Sequence, residues 1–157
     1  MNSSLDVLAD SLDMKIATLK EIEEYNEQQR KAFEADTVSF ESFDSAIEEK
    51  DKLINKLEKL DDGFESMYKR LEEELKGNKE KYADKIKLLQ EKIAIITELS
   101  VQVQASEARN KRIIEQYFAK ERGAIKKRRV GSKAAFDYYK SMSGADAIPP
   151  QFMDSKN

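Results

Sequence analysis

The side chains able to do chemistry in this 157-residue chain are 31 carboxylates and 28 lysines and arginines; there is no histidine and no cysteine. Thiol and imidazole nucleophiles, imidazole bases, disulfide frameworks and zinc ribbons are therefore excluded. What remains is carboxylate chemistry, as in a glycosidase pair or a carboxylate metal site, or a Ser or Thr nucleophile served by Lys. A carboxylate site in a helical fold needs acids on the inward stripe, and that stripe reads as Leu, Ile, Phe and Met. The five glycines are isolated, so no loop is built to cradle phosphate. No Ser or Thr is marked out beside a Lys. The sequence predicts no catalytic, cofactor-binding or metal-binding residue, and no enzyme.

The elements that would position any site are helical. Charged residues make up 38% of the chain against about 25% in an average protein, and the only two prolines are Pro149 and Pro150. Slender helices that bury one stripe each and keep their other faces wet require such a composition. A first stretch places Leu5, Leu8, Leu12, Ile16, Leu19, Ile22 and then Ala32 and Phe33 at helical spacing, with Ser3 or Ser4 as cap and Asp6 near the positive end of the dipole. A second places Phe40, Phe43, Ile47, Ile54, Leu57, Leu60, Phe64, Met67, Leu71 and Leu75, capped by Asp36, Thr37 or Ser39. The apolar phase runs straight through Gly63, which reads as a helical glycine. Gly77-Asn78 follows the last periodic residue and reads as a helix end in the left-handed conformation. A third stretch shows Tyr82, Ile86, Leu89, Ile93, Ile96, Leu99 and Val103, then a polar interval from Gln104 to Asn110, then Ile113, Ile114, Tyr117 and Phe118.

The predicted fold is all-α: an elongated antiparallel three-helix bundle or coiled coil, with helices at about residues 3–35, 39–76 and 79–122, spanning 1–125. The third helix is expected to outrun its partners, at ~65 Å against ~50 and ~55 Å. Residues 126–157 read as a basic linker and an aromatic C-terminal tail. No apolar run approaches the roughly 18 residues of a membrane span, and Met1–Leu8 lacks the features of a secretory leader, so a cytoplasmic location without membrane insertion is expected.

Charge is unevenly spread. Residues 1–108 carry 26 acids and 16 bases, whereas residues 109–133 carry 10 bases and 2 acids. That basic cluster could solvate the helix, pair with its own acidic bundle, or meet an acidic protein surface or phosphates. Nucleic acid is disfavoured by the acidic bundle beside it and by the lack of a recognition motif. The polar group Gln102, Gln104, Glu107, Arg109 and Asn110 is either a hydrogen-bonded layer fixing helix register, a stretch off the core, or a polar lining beside a groove. Of the 13 aromatics, six lie in the last 41 residues: Tyr117, Phe118, Phe136, Tyr138, Tyr139 and Phe152. Charge-rich tails are usually depleted in aromatics, so these dock on the bundle itself or on a partner.

Leu60-Asp61-Asp62-Gly63-Phe64, Ile96-Thr97-Glu98-Leu99 with Gln104 to Lys111, and the ending Tyr138 to Met142 and Pro150 to Lys156 together resemble the FlgN-type flagellar export chaperones. The resemblance covers the chain from the second helix onward. It implies a bacterial cytoplasmic protein that masks the amphipathic termini of flagellar hook-filament junction (hook-associated) proteins before type III secretion and hands them to the export apparatus. Joined to the apolar and aromatic positions above, it makes Ile113, Ile114, Tyr117, Phe118, Phe136, Tyr139 and Phe152 the candidate client-binding residues, with no cofactor. The alternative is a generic coiled-coil scaffold that self-associates into a homo-oligomer through the same stripes.

Overall fold

The computed structural model describes residues 2–120, in three helices: α1 (Asn2–Glu34), α2 (Phe40–Lys76) and α3 (Ala83–Lys120). The fold is the all-α three-helix bundle that the periodicity predicts. Across the described residues α3 is 38 residues long, α2 37 and α1 33. Helix ends differ from expectation in four places, one being the start of α3 at Ala83 in place of about residue 79. Helix α1 begins at Asn2, which puts Ser3 and Ser4 inside the helix instead of at its cap. Asp6 lies beyond the first turn and pairs with Lys85 across helices at 2.6 Å. Gly77 sits at φ −101°, so the reversal does not use the left-handed conformation; instead the Asn78 N–H donates to the Leu75 carbonyl at 3.1 Å and its side-chain amide to the Glu74 carbonyl at 2.8 Å. Two backbone carbonyls are thereby satisfied, and turns carry the chain to Ala83. Ser39 caps α2, its Oγ accepting from the Ser42 N–H at 3.2 Å.

The core follows an unbroken heptad repeat in every helix. In α1 the inward positions are Leu5, Leu8, Leu12, Lys15, Leu19, Ile22, Asn26, Gln29 and Phe33, each buried. The same alternation of three and four runs from Phe43 to Leu75 in α2 and from Ile86 to Tyr117 in α3. The polar interval of α3 does not interrupt it, because Glu107 and Asn110 occupy the inward positions between Val103 and Ile114.

Cross-helix pairs fix the directions. Asp6–Lys85, Asp13–Lys92 and Glu27–Arg109 advance together along α1 and α3, which are parallel. Lys15–Asp61 and Gln28–Ser42 run in opposite senses along α1 and α2, which are antiparallel. Helix α1 is the common neighbour of both others, and no Cα of α2 comes within 8 Å of α3. None of the helices is long and apolar enough to cross a membrane, among the described residues.

Candidate functional site: a polar layer and the aromatic end it closes off

Two apolar clusters fill the bundle. The larger joins Leu5–Ile22 of α1 to Ile54–Leu75 of α2 and Leu89–Val103 of α3. The smaller, at the end of the bundle where α1 gives way to α2, joins Ala32, Phe33, Phe43, Ile47 and Ile114. Between them lies a layer of polar side chains from all three helices. Lys50 Nζ donates to Gln29 Oε1 at 2.8 Å and to the Glu107 carboxylate, and Lys50 is fully buried. Asn110 Nδ2 donates to the Asn26 carbonyl at 2.8 Å. Ser106 Oγ donates to Glu23 at 2.9 Å, and the Arg109 guanidinium bridges outward to Glu27 at 3.2 Å. Asn26 Oδ1 and Gln29 Nε2 are buried with no protein partner.

Burial disfavours both charges of the central pair. It pushes the Lys50 ammonium below the ordinary lysine value and the Glu107 carboxyl above the ordinary carboxylate value, while each partner opposes the shift of the other. A second charged pair, Lys15–Asp61 at 2.5 Å, lies between α1 and α2 deeper in the larger cluster. The sequence-based expectation that the inward stripe lacks charged groups is therefore wrong. Lys15, Lys50, Asp61 and Glu107 stand at core positions because the heptad phase carries them there, and a reading that follows only apolar residues steps over them. The cavity beside Lys15 and Asp61 holds about 10 Å³, about one water, where small-molecule sites take ~300–1,000 Å³. Of the three readings of the polar interval, the register layer is the observed one for Glu107 and Asn110. If α3 slipped by one heptad, Lys50 would face Ser100 or Ile114 in place of Glu107.

The predicted client-binding residues divide. Ile114 is 1% exposed and belongs to the smaller cluster, so it faces the bundle's own core. Ile113, Tyr117 and Phe118 are half-buried around that cluster, beside Phe40 and Val38. Phe33 is the hub: its ring meets Phe40, Phe43, Tyr117 and Phe118 edge to face, at centroid distances of 5.7, 5.0, 5.3 and 6.4 Å. The structure thus brings these four predicted residues to one place and adds Phe33, Phe40 and Phe43, whose spacing read only as core. Phe136, Tyr139 and Phe152 lie outside the described residues. Further apolar surface lies along α3, where Leu88, Ile95 and Val101 are 45%, 46% and 56% exposed. No family model, curated protein or solved structure matches this chain.

Proposed function

We propose that this protein is a cytoplasmic export chaperone of the FlgN type, which binds and masks the amphipathic termini of hook-associated flagellar proteins before type III secretion, and that it is not an enzyme. The observation that carries the reading is the half-buried apolar edge of Phe40, Ile113, Tyr117 and Phe118, at the point where the chain continues into a segment rich in bases and aromatics. Such an edge suits one face of an amphipathic helix laid across it, with a few aromatic anchors giving an affinity that still permits release. Ile114 and Phe33 act from beneath by holding the anchors in place. The residue resemblance supplies the client class; the interior, closed by a polar layer, suits a protein that works on its surface.

The test is calorimetric titration with C-terminal segments of hook-associated proteins, comparing the full chain, a form ending at Lys120 and the Tyr117→Ala/Phe118→Ala variant. Saturable one-to-one binding that weakens at least tenfold in both altered forms is expected. Equal binding by all three would overturn the assignment of residues 113–152. The self-associating scaffold draws support from Leu88 and Ile95, exposed one heptad apart on α3; it requires a stable oligomer by light scattering and no client binding.

A further inference from the structure

The outer seam between α1 and α2 carries a charge pattern and a glycine that the bundle's own packing does not use. Val7, Met14, Glu21 and Gln28 recur every seventh residue of α1, and Gln28 donates to the Ser42 carbonyl of α2 at 2.9 Å, so this row borders α2. Helix α3 is held from the other flank of α1, through Asp6, Asp13 and Glu27. The matching row of α2 is Ser42, Glu49, Lys56, Gly63 and Arg70. From Val7 to Glu24, this row of α1 and the next one outward hold three acids (Asp10, Glu21 and Glu24) and no base. From Lys52 to Arg70, the same two rows of α2 hold four bases (Lys52, Lys56, Lys59 and Arg70) and no acid. All seven are exposed, and among the described residues only Lys52 of the seven is ion-paired, with Glu49. On the seam itself Val7 and Met14 are 48% and 47% exposed. Gly63 lies across from them in the middle of α2, where a β-carbon would meet nothing within 4 Å. A helical glycine weakens its helix, and no close contact inside the chain requires this one.

We infer that this face docks a second copy of the chain, with α1 of each protomer laid over α2 of the other. Two face-to-face arrangements satisfy two-fold symmetry. If the axis runs across the helices, α1 lies on α1 and acids meet acids. If it runs along them, α1 lies on the partner's α2 and the acidic strip meets the basic one, twice over. Heights agree, since the Lys15–Asp61 pair sets Glu21 level with Lys56, Glu24 with Lys52 and Met14 with Gly63. The same symmetry gathers Val7 and Met14 of both copies beside the axis, and the missing side chain at Gly63 lets the facing helix approach there. The face is ~25 Å long and two helices, or ~20 Å, wide, so the pair buries about 1,000 Å², the lower bound for a specific interface. A reversible dimer follows, not an obligate one. The face lies away from the edge around Tyr117 and from Leu88 and Ile95, so the inference needs neither a client nor the exposed surface of α3.

Charge exchange tests the arrangement through exposed residues only. The basic variant is Glu21→Lys/Glu24→Lys and the acidic variant is Lys52→Glu/Lys56→Glu. Each is made in the full chain and compared with the unaltered protein by sedimentation equilibrium over a concentration series. The unaltered chain is expected to dimerise reversibly, and each variant alone to associate at least tenfold more weakly. An equimolar mixture of the two variants should recover the dimer, because every strip then faces its opposite. Gly63→Gln should weaken the dimer at least tenfold with the helical circular dichroism unchanged. So should ~1 M salt, where the screening length falls to ~3 Å. An unaltered chain that stays monomeric throughout would overturn the inference. A dimer indifferent to both variants would overturn it too, by placing the contact elsewhere, as would a mixture of the variants that stays monomeric.

Discussion

At the residue scale, the defining event is the burial of Lys50 and Glu107 together. An ion pair taken from water loses hydration that its mutual attraction only partly restores, so removing one partner is far worse than removing both. Lys50→Met is expected to destabilise the bundle by about 3–5 kcal/mol, and the Lys50→Met/Glu107→Leu double variant by much less than the two single variants combined. The pH dependences of the single variants have opposite sign. In Lys50→Met, burial raises the Glu107 carboxyl without opposition. Its native state holds a proton the unfolded chain releases, so stability is fullest in acid and falls as pH rises through the native value. In Glu107→Gln, burial lowers the Lys50 ammonium. Stability is then fullest above the ordinary lysine range and is lost as pH falls through the native value. Urea melts of both variants from acid to alkaline pH check the pair; parallel slopes would contradict a shared buried site.

At the scale of the helix, continuity matters more than local propensity. Gly63 lies within α2, and a β-carbon there would meet nothing within 4 Å. Gly63→Ala is therefore expected to stabilise the protein by about 0.5–1 kcal/mol through backbone entropy alone, seen as a raised urea midpoint with unchanged slope. A lowered midpoint would mean that the backbone at Gly63 is not plain helix. The boundaries themselves were legible to within a few residues. The start of α2 rests on one Ser39 hydroxyl, and the reversal after Lys76 on Asn78, not on the freedom of a glycine.

At the scale of the whole molecule, the polar layer divides one bundle into two apolar compartments of unequal size. The smaller depends on Phe33 and Phe43, which are 8% and 0% exposed. Phe43→Ala is expected to cost about 3–5 kcal/mol and to speed amide exchange in residues 30–47 and 110–118 well before it does so in Leu8–Ile22. Uniform acceleration along all three helices would show that the layer does not separate the compartments. The same division leaves the aromatic end, the half-buried edge around Tyr117 and the start of the basic segment within one small region.

The sequence by itself determined the helices, their number, the apolar members of their inward stripes and the placement of Gly63 within α2, because those follow from spacing along one chain and from the scarcity of Gly and Pro. It also marked Glu107, Arg109 and Asn110 as polar residues out of keeping with their helix. Only the tertiary structure decided which of the three readings held, since a buried Glu is recognised by its partner, and Lys50 lies 57 residues away on another helix. For the same reason it alone assigned Ile114 to the core and left Ile113, Tyr117 and Phe118 at the edge. A heptad fixes which residues turn inward, while the angular placement of neighbouring helices fixes which inward residues meet and which flanks stay open.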